Sequence, residues 1–203
     1  MNNSTELNRT FRIVLTGGPG GGKTTAADLY RREMGDEVIL VPEAATLIYK
    51  GGFPRSGDVK IKKAIQRAIY HVQTNLEESH SSHPKNKILL CDRGTLDGAV
   101  YWPENSNEFF EQLNTTLEKE LARYDAVIFF ETAAVGGMSI EGNNSARTES
   151  LQEAFTLDRR MKEVWSQHKK FIFIPHDKSF IKKVNNGLNE LAKLVNFLKQ
   201  SSN

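Results

Sequence analysis

Residues 11–25, FRIVLTGGPGGGKTT, decide the fold. FRIVLTG is a short apolar run of strand character, and it empties into five glycines and a proline between Gly17 and Gly22. Gly17, four intervening residues, Gly22, Lys23 and Thr24 satisfy G-x-x-x-x-G-K-[ST], placed after a strand and before a helix as the chemistry requires. Glycine lets the backbone wrap around an anion with its N–H groups inward, and the following helix adds unpaired amides and a positive dipole end. Gly17, Gly18, Pro19, Gly20, Gly21, Gly22, Lys23, Thr24 and Thr25 are therefore read as a phosphate cradle. In it Lys23 bridges β and γ phosphates, the Thr24 hydroxyl ligates Mg²⁺ and Thr25 reaches the α phosphate. A merely flexible turn would not need Lys-Thr at this offset.

Four later runs resemble the first: EVILVPE (37–43), KILLCDR (87–93), DAVIFFE (125–131) and KFIFIPHD (170–177). Continuous apolar segments of this length are expected where both faces of a parallel sheet are covered. Helical stripes lie between and after them: Ile61, Ile65, Ile69, Val72, Leu76; then Leu151, Phe155, Met161, Trp165; then Ile181, Val184, Leu188, Leu191, Val195, Leu198. The alternation predicts an α/β fold, a three-layer sandwich around a five-stranded parallel sheet, with a ligand crevice at the carboxyl ends of the strands. Residues 1–10 are expected to fray, and 11–203 to form one P-loop NTPase domain with a C-terminal docking helix over 179–200. Residues 132–149, TAAVGGMSIEGNNSARTE, are long and irregular for a compact connection and are read as a lid.

Polar residues at the strand ends converge on the crevice. Asp92 is expected to hold Mg²⁺ directly or through water, with Arg93 beside it as a two-pronged clamp for a carboxylate or phosphate. Glu43 ends the second strand where a carboxylate can orient or deprotonate an acceptor hydroxyl, and Asp97 is a second candidate for that role. Arg147 in the lid is the candidate for stabilising charge on a phosphoryl group in flight, while Arg159 and Arg160 read as a solvated helix face. Lys60, Lys62 and Lys63 form a short basic patch, His80 and His83 lack the neighbours a zinc site needs, and Cys91 reads as a small buried hydrophobe.

Bulk properties narrow the classes. With 27 Lys plus Arg against 25 Asp plus Glu, the net charge of +2 gives no reason to expect nucleic acid as a partner. One cysteine forms no internal disulfide, no leader-type segment opens the chain, and no apolar run nears the roughly 20 residues of a membrane span, so a cytoplasmic location is expected. No guanine-reading Asn-Lys-x-Asp motif occurs, since Asn86-Lys87 runs on into Ile-Leu, so ATP is favoured over GTP.

GGPGGGKTT, VPEAA, CDRGTLDGAVYWP and NNSARTESLQEAFTLDRRMKEVWSQH together resemble the small P-loop family that joins the nicotinamide riboside kinase domain of NadR to the TRPL translocation defect protein. The resemblance spans roughly residues 11–177 and is stronger to the translocation-defect branch. It implies a nucleoside-kinase-like sheet, a nucleoside triphosphate with Mg²⁺, and an arginine-bearing lid, with Lys23, Thr24, Asp92 and Arg147 at the matching positions. No reader of nicotinamide or ribose aligns, so the acceptor is not inherited. Two functions follow as expectations: a kinase acting on a small nucleoside-like or other hydroxyl-bearing acceptor, or a nucleotide-dependent protein whose bound state engages a partner or an anionic phospholipid such as a phosphoinositide. A ring-forming AAA motor is the least favoured.

Overall fold

The apolar runs become five strands because each can be buried on both faces. The computed structural model describes residues 10–81, 88–136 and 150–200. Strands β1 (Phe11–Thr16), β2 (Val38–Val41), β3 (Ile88–Asp92), β4 (Ala126–Phe130) and β5 (Phe171–Ile174) form one all-parallel sheet in the order β2-β3-β1-β4-β5. The central β3 and β4 are buried throughout, whereas the edge strands β2 and β5 are partly exposed. This is the doubly wound architecture the sequence predicts.

Alternation along β1 distributes its side chains to two cores. Ile13 and Leu15 join Tyr30, Phe130, Leu191 and Val195 on the face covered by α1 (Lys23–Met34) and α8 (Phe180–Gln200). Val14 joins Leu89, Cys91, Phe129, Met161 and Trp165 on the face covered by α4 (Asp97–Tyr101) and α7 (Leu151–Trp165). Helices α2 (Ala44–Lys50) and α3 (Val59–Ser81) pack together beside β2 and β3, and α5 (Ser106–Gln112) and α6 (Leu117–Leu121) complete the chain up to β4. Phe109 of α5 packs edge-on against Trp102 and Tyr70 in a third, smaller cluster.

Two of the expected apolar stripes are rotated. Helix α7 buries Ala154, Asp158, Met161 and Trp165 and leaves Leu151 and Phe155 exposed. Its start is fixed by a capping box in which the Ser150 hydroxyl accepts from the Glu153 amide and the Glu153 carboxylate accepts from the Ser150 amide. Its rotation is set by Asp158, whose Oδ1 accepts the amides of both Gly18 and Thr132. Helix α3 likewise buries Ile65, Gln66, Gln73 and Glu77 and exposes Ile61. Glu77 draws that face inward, accepting from Arg123 at 2.7 Å, the Tyr124 hydroxyl at 2.8 Å and Gln73 at 3.0 Å. Helix α8 docks through Val184, Leu191, Leu194, Val195 and Leu198 and leaves Ile181 in solvent.

Sheet order reverses at β1, whose neighbours are β3 on one side and β4 on the other, so the loop after β1 opens at the switch point where such sheets bind ligands. Among the described residues no helix is long and apolar enough to cross a membrane.

Candidate functional site

The glycine-rich turn follows β1 and ends at Gly22, which caps α1 in the left-handed conformation with no side-chain cap. The first-turn amides of α1 are thereby left without an internal partner. Gly17 has no room for a side chain: a Cβ there would lie 2.1 Å from the Phe130 carbonyl oxygen. Lys23 folds back so that its ammonium donates to the Gly18 carbonyl at 2.7 Å, and the residue is buried. Burial, helped by the Arg93 guanidinium, lowers this ammonium to about 7 against the opposing pull of Asp92, Asp97 and Glu43. The Thr24 and Thr25 side chains lie at the exposed start of α1.

Register between β1 and β3 places Asp92 opposite Leu15, and the Arg93 amide extends the ladder by donating to the Leu15 carbonyl at 3.0 Å. Asp92 is buried beside the Thr24 hydroxyl, and its Oδ1 has no protein hydrogen-bond partner. Burial, with Glu43 nearby, pushes its carboxyl up to about 6 despite Thr24, Arg93 and Lys23. A buried, unpartnered carboxylate oxygen next to a hydroxyl is the donor set of a hard divalent cation, so the residues fit Mg²⁺. Among the described residues no cluster of three His, Cys, Asp or Glu side chains surrounds a cation position, so phosphate and water oxygens would complete the shell.

Arg93 stands at φ 73, a left-handed backbone unusual for a side chain of its size, and this turns it into the crevice. Its Nε donates to Glu43 at 2.5 Å and its terminal nitrogen to Asp97 at 2.8 Å. Charge on Arg93 is secured well above its ordinary range, Tyr101, Glu43 and Asp97 outweighing the effect of burial. Burial works upward on Glu43, but Arg93 and the Thr46 hydroxyl, at 2.5 Å, hold its carboxyl below the usual range. Asp97 spends both oxygens internally, since Oδ1 also accepts from the Thr16 hydroxyl at 2.7 Å and the Trp165 indole at 2.8 Å.

Lys23, Thr24, Glu43, Arg93 and Asp97 line a cleft of about 670 Å³. Tyr49, Gln66, Tyr70, Gln73, Tyr101 and Trp102 line its body, and Arg55, Lys62 and Arg160 also contribute to its wall. That volume suits a small polar molecule held by a few convergent groups. Of the remaining candidates, Arg159 is exposed, 3.8 Å from Glu163, and Lys63 is paired with Glu108 at 2.6 Å and Glu104 at 3.3 Å. Cys91 is fully buried, and burial raises its thiol well above the ordinary range. Arg147, His83 and positions 137–149 of the expected lid lie outside the described residues; Ala133–Gly136 forms a 3₁₀ turn.

Several site residues carry no motif signal. Asp158, Thr132 and Lys183 fasten the loop from outside, and Gln66 and Gln73 sit in a helix whose period points to apolar neighbours instead. Only the spacing of Asp158 with Met161 and Trp165 marked that face, and a lone carboxylate on it reads as solvent-facing.

An AAA domain family model matches residues 12–179. The chain belongs to that family. No curated protein matches the sequence. Among solved structures, deoxyadenosine kinase from M. mycoides with bound dATP is similar over 90% of this chain and 100% of that one, at 15% identity and a TM-score of 0.62. NadR in complex with NR is similar over 91% of this chain at 18% identity and a TM-score of 0.65; the match spans 49% of the NadR chain. At these identities the likeness establishes the fold, that of a P-loop, nucleoside-kinase-like α/β protein.

Proposed function

We propose that this protein is an ATP·Mg²⁺-dependent kinase that phosphorylates a hydroxyl of a small nucleoside-like acceptor. The observation that carries the reading is the pairing of the phosphate cradle with the Glu43–Arg93–Asp97 constellation in a single cleft. ATP would supply the phosphoryl group, and Mg²⁺, held by Thr24 and Asp92, would neutralise charge on the phosphates. The Gly20 and Gly22 amides, the first-turn amides of α1 and the Lys23 ammonium bind the phosphate chain, with Thr25 beside them. Glu43 is the group that receives or orients the acceptor's hydroxyl proton. Its depressed pKa keeps it ionised, and the price is modest basicity, which suits a reaction in which positioning dominates. Arg93 is presented to the acceptor and the transferring group, and Asp97 positions Arg93. Arg147, in the lid, is assigned to stabilise the charge that develops in transfer. The DRG-x-x-D segment at 92–97 and the Asn-Ser-Ala-Arg-Thr-Glu segment at 144–149 support placement in the translocation-defect branch.

ATP turnover measured against a panel of nucleosides, nicotinamide riboside included, tests the reading. A sharp acceleration by one hydroxyl compound, with phosphate found on it, is expected. A basal rate that no acceptor lifts, in protein that binds ATP tightly, would replace the kinase with a nucleotide-dependent binding protein.

A further inference from the structure

Lys183, in the first turn of α8, is 3% exposed, yet its ammonium meets no carboxylate. It donates instead to two backbone carbonyls, Gly21 at 2.8 Å and Glu131 at 2.5 Å, and lies 5.6 Å from the centre of the Phe130 ring. The charged groups facing it are Asp158 and Glu131, neither of which forms an ion pair with it among the described residues. Both are engaged elsewhere, Asp158 with the Gly18 and Thr132 amides and Glu131 with the His176 amide. Burying an ammonium against uncharged acceptors is costly, so its placement calls for a reason.

In a trans peptide the carbonyl of one residue and the N–H of the next point in opposite directions, and the described chain has no cis bond. Fastening the Gly21 carbonyl to α8 therefore turns the Gly22 N–H away from α8. The Thr132 hydroxyl, donating to the Pro19 carbonyl, does the same for the Gly20 N–H. Gly20 and Gly22 have φ of 78° and 83°, conformations that glycine leaves freely, and among the described residues their amides have no protein acceptor. Of the other glycine amides of the turn, Gly18 is spent on Asp158 and Gly21 on the Gly18 carbonyl.

We infer that Lys183 is a positioning residue that holds the Gly22 amide on the ligand side of the loop, making α8 a determinant of affinity for the phosphate chain. The cation on the carbonyl also polarises the N–H across the same peptide unit. The inference rests on reading the loop as a triphosphate site, and it places one determinant of that site 160 residues beyond the motif.

The test compares the full-length wild type with Lys183→Met, which keeps the aliphatic stem, and Lys183→Arg, which keeps the charge. Calorimetry with Mg·ATP and Mg·ADP is expected to show Lys183→Met binding both roughly tenfold or more weakly and Lys183→Arg recovering most of the loss. A folded Lys183→Met protein that binds both nucleotides like the wild type would overturn the inference. Should Lys183→Met fail to fold, Thr132→Val tests the same device at the Gly20 amide, with the same expected weakening and the same contrary outcome. In nucleotide-free protein the Gly22 amide resonance should be single and sharp in the wild type and in Lys183→Arg, and shifted or exchange-broadened in Lys183→Met. An unchanged Gly22 signal in Lys183→Met also sinks the inference. A wild type that binds no nucleotide defeats the kinase reading instead, and the amide signal still decides the role of Lys183.

Discussion

The two ends of the cleft are built on opposite plans. On the proposed reading the phosphate end comes from one continuous stretch, residues 17–25, acting largely through backbone, and Pro19, Lys23 and Thr24 of it line the cleft. At the acceptor end the wall is made mostly of side chains from α2, α3, α4 and α7, gathered from positions 44 to 160. A backbone cradle recognises what all triphosphates share, whereas a wall of amides, hydroxyls and rings can be rewritten residue by residue. The groups that touch nucleotide on that reading are thus nearly contiguous in the chain, with Lys183 acting on them from α8, whereas choice of acceptor is distributed.

Substitutions can separate the two ends. Glu43→Gln is expected to lower the transfer rate about 10²–10⁴-fold with ATP affinity nearly unchanged, measured by turnover and calorimetry on the same sample; a parallel loss of ATP binding would merge the two ends. Lys23→Ala should weaken Mg·ATP about 100-fold with an unaltered circular dichroism spectrum. Asp92→Asn acts on stability as well as metal. The folded carboxyl titrates near 6, above the ordinary 3.8, so the folded state holds the extra proton between these values and stability falls as pH rises through that window. Without nucleotide, Asp92→Asn should be more stable than the wild type at pH 7 by roughly 3 kcal/mol in urea unfolding, and should lose the Mg²⁺-dependent part of ATP affinity.

Gln66→Ala, confined to the acceptor wall, should raise the acceptor KM about five- to tenfold and leave ATP untouched. The smallest effect concerns Lys23 itself. With its ammonium at about 7, it is mostly neutral at pH 8 and gains a proton when phosphate arrives, whereas at pH 6 it is already charged. Calorimetry with Mg·ATP in two buffers of different ionisation enthalpy should register proton uptake approaching one per nucleotide at pH 8 and a net release at pH 6, where Lys23 is already charged and Asp92 gives up its proton to the metal. Equal uptake at both values would place the titrating group elsewhere.

This contrast also explains what could be read from the sequence. The sheet was legible because five runs carry apolar residues on both faces, and the cradle because its glycines and Lys-Thr are contiguous. Asp92 was legible as the polar end of a strand and Arg93 as the residue just beyond it, whereas Glu43, expected to end a strand, lies two residues past β2 as the N-cap of α2. Geometry added what spacing does not encode: Arg93 joins Glu43 and Asp97, and Asp97 is consumed by Thr16, Trp165 and Arg93. Period alone misled on α3 and α7, where buried hydrogen bonds of Glu77 and Asp158 rotate each helix away from its most apolar face. Propensity and periodicity count hydrophobic residues, and a carboxylate with several donors can outweigh a leucine. Lys183 was invisible for a related reason, since its partners are carbonyl groups and those have no sequence signature.

Cys91 gives the molecule an experimental convenience. The chain's one thiol sits in the middle of the sheet, sealed from solvent and resistant to ionisation, and thiolate is the form that reacts with maleimides. A second cysteine introduced at an exposed position such as Phe155 or Ile181 would take a fluorophore selectively with the native sulfur left in place, so the surroundings of α7 or α8 can be followed without first engineering a cysteine-free background.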